Sequence, residues 1–305
     1  MDKVVLALDL GGTNARFAAV LPDGSILTRM RVRTPKTDDG DQILGMIVNS
    51  FQSIRNETAG RYEAVAIAAA VPATIRATDG ILAELPNLPA LEGVDISAVL
   101  REGLGLKTYL ENDATAATIG EHWMGASKGV ANVIGVTLGT GVGGGLIING
   151  MPFRGKDGTA GEIGHVCVEP EGHPCGCGSR GCVEQYSSGT AIIRMAREAG
   201  LNVSSSWDVY ELAMDGDEKA AEVFSTMGKY LGIVFAGLVN VLNPEMFVIG
   251  GGVAGGWDLF IHRVEQEVIE RAFRDPARRA KIVRAALGED AGILGAARVA
   301  FDQMA

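Results

Sequence analysis

Hydrophobic and polar positions along the chain predict strands and helices in turn. Apolar runs at residues 4–10 and 15–20 flank a glycine-rich break, and residues 25–32 follow the turn signal Pro22-Asp23-Gly24, which indicates three successive strands. Residues 41–58 carry their apolar side chains at helical spacing, which predicts an amphipathic helix. The first sixty residues therefore predict a three-stranded unit followed by a helix.

This alternation continues to the end of the chain. It predicts a strand at 65–70, a helix from Asp95 to near Gly103 and Gly105, a strand at 107–110 and a helix from about Ala114. In the last third it predicts helices at 218–242 and 257–273, strands at 246–249 and near Ile282, and a closing helix at 291–302 after Asp290. Strands that alternate with helices are typical of the α/β class.

The opening strand–turn–strand pattern occurs a second time in the middle of the chain. Residues 132–138 and 143–148 are apolar, a glycine turn separates them, and Asn149-Gly150 is a strong hairpin signal. Asp9-Leu10-Gly11-Gly12-Thr13 aligns with Thr137-Leu138-Gly139-Thr140-Gly141. Two unrelated glycine-rich hairpins would give the same local pattern. The simpler interpretation is a duplicated α/β unit with a cleft between the copies.

No low-complexity linker divides the chain, so we expect the domain boundary to be a hinge between two packed lobes. The predicted smaller lobe consists of residues 1–113 together with 291–305. The predicted larger lobe consists of residues 114–290 and includes all four cysteines.

Composition and charge exclude several classes of protein. Apolar residues make up 47% and charged residues 21% of the chain, which is ordinary globular composition and rules out a disordered protein. The net charge of −10 argues against binding to nucleic acid or to an anionic membrane. No run of about 18 uncharged apolar residues occurs, and residues 1–9 lack a signal cleavage site. We therefore expect a cytoplasmic protein.

Glycine is unusually frequent: the 42 glycines are about twice the usual share of ~7%. They cluster in three turns at strand ends, which are Gly11-Gly12-Thr13, Gly139-Thr140-Gly141 and Gly250-Gly251-Gly252. Backbone N–H groups in such turns can bind phosphate oxygens, although tight-turn geometry alone would also explain each turn. None continues into the Gly-Lys-Ser/Thr of a Walker A loop, and the first leads into a strand rather than the helix of a dinucleotide site.

Two aspartates stand at predicted strand ends near these turns. Asp9 directly precedes the first turn, where its carboxylate could hold Mg²⁺ through water against nucleotide phosphates. Asp113 closes Glu111-Asn112-Asp113 and is the candidate base for phosphoryl transfer, which needs a carboxylate to accept a hydroxyl proton. Asp113 could instead be a plain N-cap of the helix at Ala114, and the two roles are compatible.

The most specific motif is His165, Cys175, Cys177 and Cys182, with glycines between the cysteines. Three thiolates and an imidazole complete a tetrahedral Zn²⁺ shell without an open position, so we expect a structural zinc site. A redox pair or free thiols are the alternative. The remaining cysteine, Cys167, is predicted to be a small core residue.

Two glutamates flank this cysteine loop. Glu162 lies in Gly161-Glu162-Ile163-Gly164-His165, and Glu184 follows the last cysteine of the motif. Carboxylates fixed by a rigid metal loop are suited to bind vicinal sugar hydroxyls. They could equally be solvated loop charges.

Together these motifs resemble the ROK family of repressors and sugar kinases, which has the actin-like ATPase (ribonuclease H-like) fold, a duplicated α/β fold with two lobes and a central cleft. The resemblance extends nearly from end to end. It also includes Asn87-Leu88-Pro89, Leu138-Gly139-Thr140-Gly141-Val142-Gly143-Gly144-Gly145, Ile249-Gly250-Gly251-Gly252 and Asp290-Ala291-Gly292-Ile293-Leu294-Gly295-Ala296-Ala297.

The resemblance implies an ATP-dependent hexokinase of glucokinase type that takes part in glycolysis, in which Asp113 deprotonates the sugar 6-hydroxyl. It implies contacts to the sugar from Asn87, Asn112, Asp113, Glu162, His165 and Glu184. It implies contacts to the nucleotide from Asp9, Gly11, Gly12, Thr13, Asn14, Gly139, Thr140, Gly141, Gly250, Gly251 and Gly252, with Asp9 also supporting Mg²⁺. Zinc would orient the sugar-binding residues, and the family is often dimeric, so a homodimer is expected.

The chain departs from the family pattern at two places near the expected sugar pocket. Ala69-Ala70-Val71-Pro72-Ala73 replaces a Gly-Pro-Gly-type turn, and Leu91 replaces a usual tryptophan. The hexose is therefore less certain than the reaction, and N-acetylmannosamine, fructose or allose are alternatives to glucose. A sugar-sensing repressor is disfavoured because its DNA-binding domain would precede the first turn, which here starts at residue 9, and because the net charge is −10.

Overall fold

The computed structural model describes residues 1–75, 81–83, 85 and 87–304, and its first sheet covers the first third of the chain. The strands are β1 (Asp2–Leu10), β2 (Asn14–Val20), β3 (Ile26–Arg33), β4 (Tyr62–Val71), β5 (Thr74–Ile75), β6 (Leu82–Ala83) and β7 (Thr108–Asn112). Five of them form a sheet in the order β3-β2-β1-β4-β7, and β5 pairs with β6. The helices α1 (Gly40–Thr58) and α2 (Ile96–Leu104) pack on one face of the sheet, over Leu6, Leu8 and Phe17.

A second five-stranded sheet repeats the order of the first. Its strands are β8 (Val133–Leu138), β9 (Val142–Ile148), β10 (Met151–Pro152), β11 (Met246–Gly250) and β12 (Lys281–Arg284), in the order β10-β9-β8-β11-β12. In both sheets three antiparallel strands are followed by two parallel ones. This shared topology confirms the predicted duplication.

The remaining helices are α3 (Asp113–Met124), α4 (Glu184–Ser187), α5 (Gly189–Glu198), α6 (Ser206–Met214), α7 (Glu218–Leu242), α8 (Trp257–Arg271), α9 (Arg274–Arg279) and α10 (Ala291–Met304). The sequence pattern predicts α3, α7, α8 and α10 but not α4, α5, α6 or α9. The pattern was right for the predicted cap of α2, because the Asp95 carboxylate accepts the Ala98 N–H at 2.9 Å.

The two sheets meet at α3 and α10, which lie between them. Small or branched apolar residues from both sheets, including Ala68 and Val248, share one buried core with Ala116 of α3 and Ala297 of α10. At Gly295 an added Cβ would lie 1.7 Å from the Ala116 carbonyl oxygen. The crossing therefore requires a residue without a side chain at Gly295.

We expect Gly295→Ala to lower the free energy of unfolding by about 1–3 kcal/mol or more, because the new Cβ overlaps backbone that cannot move freely. The matched control is Gly45→Ala on α1, where nothing lies within 4 Å of the new Cβ. That change should stabilise by up to about 1 kcal/mol, since alanine is the better helix former. Urea unfolding of both variants checks this, and equal stabilities would contradict the close crossing.

The helix α7 is long and apolar enough to cross a membrane by length and composition. In this fold it packs against α8, and a Cβ at Gly228 would lie 2.6 Å from the Phe260 carbonyl oxygen. Its Phe224, Leu231 and Phe235 belong to the hydrophobic core that includes β8 and β11 of the second sheet. α7 is therefore placed as a core helix.

The predicted lobe boundaries remain a prediction. The predicted smaller lobe contains residues 76–80, 84, 86 and 305, which lie outside the described residues. The crossing of α3 and α10 lies close to both predicted boundaries, at Asp113 and at Ala291.

Candidate active site

A cavity of about 480 Å³ lies between the two sheets and contains both candidate aspartates. Asp9 reaches it from the end of β1, and Asp113 from the junction of β7 and α3. Gly250-Gly251-Gly252 lines it from the end of β11 in the second sheet. Because β1, β4 and β7 run parallel, their carboxyl ends meet at one edge, where α/β folds commonly bind ligands. The structure thus brings a predicted base, a predicted magnesium residue and a predicted phosphate turn together.

The cap of α3 is Asn112 rather than Asp113. The Asn112 Oδ1 accepts the N–H groups of Ala114 and Thr115 at 3.0 and 3.1 Å. Asp113 is the first helical residue, and its Oδ1 accepts the Ala114 N–H at 2.8 Å. The alternative of Asp113 as a plain N-cap is therefore wrong, because the neighbouring amide already caps the helix and leaves the Asp113 side chain at the cavity.

The pKa of Asp113 is raised from 3.8 to about 6, and burial of the carboxylate is the main cause. The N–H of Ala114 lowers this pKa, and the negative charges of Asp9 and Glu162 raise it further. A carboxyl group with a pKa near 6 is mostly ionised at neutral pH and still accepts a proton readily. The electrostatics of the cavity suit Asp113 to the work of a general base.

Asp9 faces an arginine that the motifs did not reveal. In the β1–β2 hairpin Asp9 lies directly opposite Arg16, and the Arg16 Nη1 lies 3.4 Å from the Asp9 Oδ2. The Arg16 Nη2 also donates to the Glu289 Oε1 at 2.5 Å. Burial raises the pKa of Asp9, while the Arg16 guanidinium opposes that rise. The hairpin register would have identified Arg16, since residues opposite each other share one face of a sheet.

The first glycine turn lies beside Asn87. A Cβ at Gly12 would lie 3.1 Å from the Asn87 carbonyl oxygen. The turn is held by Thr34, whose N–H donates to the Thr13 carbonyl and whose hydroxyl donates to the Gly11 carbonyl. Among the described residues, Gly11, Gly12, Thr13, Asn14 and Asn87 are not part of the lining of the 480 Å³ cavity.

The second and third glycine turns touch each other. Gly251 has φ +88°, and a Cβ there would lie 2.3 Å from the Leu138 carbonyl oxygen, directly before Gly139. At the other end of the second turn, the Val142 N–H donates to the Glu184 Oε2 at 3.0 Å. The second turn therefore contacts both the third turn and Glu184. Among the described residues, however, Gly139, Thr140 and Gly141 lie outside the lining of the cavity.

The four predicted zinc ligands come together, with all their donor atoms within 4.8 Å of one another. The Cys177 and Cys182 sulfurs are 3.7 Å apart, and the Cys175 sulfur lies 3.6 Å from the His165 Nδ1. A tetrahedral shell with Zn–S bonds of about 2.3 Å has sulfurs about 3.8 Å apart. The donor set and its spacing therefore fit a zinc ion.

His165 faces Glu162 with its other ring nitrogen: the Nε2 lies 4.0 Å from the Glu162 Oε2. Glu162 in turn contributes to the charge at Asp113. The cysteine cluster thus lies on one side of the His165 ring, and Glu162 lies on the other.

The prediction that Cys167 is a core residue is wrong, because its side chain is exposed. Its backbone forms an isolated bridge with Cys182, and in this bridge it is Cys182 that is buried. Cys167 therefore lies beside the cysteine cluster in sequence but outside the four-residue donor set.

An ion pair that the motifs did not identify connects the two sheets beside Asp113. The Arg154 Nε donates to the Glu111 Oε2 at 2.7 Å, and Glu111 is almost fully buried. Glu111 also accepts the Asn112 N–H at 3.1 Å. This contact fixes the end of β7, directly before Asp113, to the segment after β10.

Two solved structures share this architecture over nearly the whole chain. A ROK hexokinase from Thermus thermophilus superposes with a TM-score of 0.86 at 31% identity, covering 99% of both chains. A ROK glucokinase from Streptomyces griseus, in complex with glucose and AMPPNP, superposes with a TM-score of 0.82 at 30% identity, covering 97% of this chain and 98% of that one. The fold is therefore the actin-like ATPase fold of these kinases.

Curated relatives match at similar identity. A glucokinase from Thermotoga maritima is 32% identical, covering 97% of this chain and 96% of its own length. An N-acetylmannosamine kinase from Haemophilus influenzae is 34% identical, covering 96% of this chain and 93% of its own length. The sequence model of the ROK family matches residues 5–303. This match over almost the full length shows that the chain belongs to the ROK family.

Proposed function

We propose that this protein is a sugar kinase that transfers the terminal phosphoryl group of ATP to the 6-hydroxyl of a hexose, with glucose as the preferred substrate. The observation that carries the proposal is Asp113, a buried carboxylate whose pKa lies near 6 in a cavity shared with Asp9 and a glycine turn. The relatives and solved structures named as glucokinases and hexokinase support this reaction class.

In this mechanism Asp113 accepts the proton of the 6-hydroxyl while the oxygen attacks the terminal phosphorus of ATP. The bond from that phosphorus to the bridging oxygen breaks, and ADP leaves with this oxygen. Phosphoryl transfer needs mainly positioning and charge stabilisation from a protein. We assign the N–H groups of the three glycine turns, with Thr13, Asn14 and Thr140, to the phosphates. Asp9 would hold Mg²⁺ through water, and the bound ion would supply charge neutralisation at the phosphates.

The sugar would be bound by the polar side chains of five residues. We assign this role to Asn87, Asn112, Glu162, His165 and Glu184. Glu162 is supported by its electrostatic effect on Asp113, and Asn112 by its place directly before the base. His165, Cys175, Cys177 and Cys182 would hold a structural zinc ion, which would fix His165 and the loop that carries Glu162.

A kinase for another sugar is the second candidate, supported by the N-acetylmannosamine kinase relative at 34% identity. The segment that departs from the family pattern also bears on substrate choice, because the Asn112 Nδ2 donates to the Ala73 carbonyl oxygen at 3.4 Å. A changed segment around Ala73 could therefore move a sugar-binding amide.

A panel of hexoses, each with ATP and Mg²⁺, tests the proposal by the rate of ADP formation. We expect glucose to give the highest kcat/KM and ADP formation to require a sugar. ADP formation with N-acetylmannosamine but not with glucose would show that N-acetylmannosamine, and not glucose, is the substrate. No ADP formation with any hexose would overturn the proposal.

The pH dependence of kcat/KM follows from Asp113. Its pKa is raised to about 6, so the carboxyl is protonated below pH 6 and cannot accept the hydroxyl proton. We expect kcat/KM to be level above about pH 7 and to fall about tenfold per pH unit well below pH 6. A pH–rate profile between pH 4.5 and 8 measures this, and a profile that stays level through about pH 5 would contradict the role of Asp113.

Three further properties remain predictions: a homodimer, a cytoplasmic location and a place in glycolysis. The absence of binding to nucleic acid and to membranes is likewise a prediction, for which the net charge of −10 is the support.

A further inference from the structure

Glu121 is a buried carboxylate that the mechanism above does not use. It is only 3% exposed and lies in the third turn of α3. Its Oε2 accepts the N–H groups of Ala126 and Ala286 at 2.8 and 3.1 Å, and its Oε1 accepts the N–H of Leu287 at 2.7 Å. A buried anion with three backbone donors fixes the segments that supply them.

The segment that Glu121 holds supports the third glycine turn. Ala285 continues the pairing of β12 with β11, because its N–H donates to the Ile249 carbonyl oxygen at 2.9 Å. A Cβ at Gly250 would lie 3.1 Å from the Ala285 Cβ. Ala285, Gly250 and Glu121 all line the cavity. Any movement of residues 285–287 would therefore displace the backbone at Gly250.

The same helix carries the predicted base at its other end. Asp113 and Glu121 are eight residues apart on α3, which corresponds to about 12 Å along a rigid helix. One end of α3 thus presents Asp113, and the other holds the segment on which the third glycine turn rests. The helix fixes the distance between the base and a predicted phosphate-binding turn.

We infer that Glu121 is a positioning residue for the phosphoryl donor. It holds residues 285–287, and through them Gly250-Gly251-Gly252, at the position from which the turn binds nucleotide phosphates. This inference rests on the proposed function and adds a residue to it. Glu121 acts on the nucleotide side of the cavity, since two of its three partners, Ala286 and Leu287, directly follow Ala285, which lies against Gly250.

The variant Glu121→Gln isolates this role. A glutamine has one accepting oxygen, so its NH₂ group must face either the N–H of Leu287 or those of Ala126 and Ala286. We expect the Kd for the ATP analogue AMPPNP with Mg²⁺ and the KM for ATP to rise about tenfold or more. The Kd for glucose, measured without nucleotide, should stay unchanged.

The control is Glu267→Gln on α8. Glu267 is also a buried carboxylate, paired with Arg263 and Arg271, and it is outside the cavity lining of the described residues. This control should lose thermal stability and keep the wild-type Kd for AMPPNP. Unchanged nucleotide affinity in Glu121→Gln, or an equal loss of nucleotide and glucose affinity, would overturn the inference.

Hydrogen exchange of the wild-type protein gives a second test that does not depend on the folding of a variant. We expect the amides of Ala286 and Leu287 to be protected both with and without AMPPNP, because Glu121 holds them in the free protein. Exchange at unprotected rates in the free protein would overturn the inference. A wild-type protein without kinase activity on any sugar would instead remove the proposed function, so the two failures are distinguishable.

Discussion

Asp113→Asn should lower kcat by about 10²–10⁴, because it removes the group that accepts the proton of the 6-hydroxyl. The amide keeps the size of the carboxyl group and leaves the cap of α3 at Asn112 intact. Glucose binding should therefore survive. Steady-state kinetics give kcat, and calorimetry gives the Kd for glucose.

The same variant should be more stable than the wild type at pH 7. Folding raises the pKa of Asp113 from 3.8 to about 6, so its ionised form is disfavoured in the folded state. The resulting cost in stability grows from about pH 4 to about pH 6 and is full above pH 6. Removing that cost should raise the free energy of unfolding by on the order of 2 kcal/mol at pH 7, and the gain should shrink toward pH 4.

Asp217→Asn is the matched control, because Asp217 is the N-cap of α7 and asparagine caps a helix about as well. This control should leave both kcat and stability close to wild type. Near-normal kcat in Asp113→Asn would show that another group accepts the proton. A large loss of kcat in the control would show that an Asp→Asn change at the start of a helix lowers kcat without removing the base.

Cys177→Ser should lose bound zinc, thermal stability and sugar affinity together. A serine hydroxyl is a poor zinc ligand, and a structural zinc site contributes folding free energy directly. Because His165 belongs to the donor set and faces Glu162, we expect the Kd for glucose to rise about 10–100-fold, as for the loss of other supports around metal ligands. Elemental analysis, thermal unfolding and calorimetry measure the three losses.

Cys167→Ser is the control for that change, since Cys167 is exposed and lies outside the donor set. It should retain one zinc ion per chain and wild-type glucose affinity. A Cys177→Ser protein that still binds zinc at full occupancy would contradict the ligand set. Loss of zinc without loss of glucose affinity would support the ligand set. It would contradict the proposal that zinc fixes the loop that carries Glu162 for sugar binding.

The elements that the sequence predicts correctly are those whose signals are local. The glycines predict the β1–β2 turn, and Asn149-Gly150 predicts the β9–β10 turn. Both turns occur in the structure, and in the second of them Asn149 has φ 53°. The four-residue α4 has too little length for a helical period. α6 did carry a usable signal, because Ser205 and Asp208 form a capping box at its start.

The site divides in the same way. Asp113 and the cysteine cluster could be found because their motifs are short and chemically specific. Arg16 could have been found from the hairpin register with Asp9. Glu121 could not, because its partner Ala286 lies 165 positions away and contributes only a backbone N–H. The raised pKa of Asp113 could not be predicted from the sequence either, since burial in the folded cavity is the main cause of the rise.

The central claim is that Asp113 lies between a bound hexose and the terminal phosphate of ATP. A crystal structure of the protein with glucose, Mg²⁺ and AMPPNP tests it most directly. We predict a carboxylate oxygen of Asp113 within hydrogen-bond reach of the glucose O6, about 2.6–3.2 Å, with the terminal phosphate in line on the opposite side of O6. Glucose bound with its O6 facing away from Asp113, beyond the reach of one bridging water, would contradict the account.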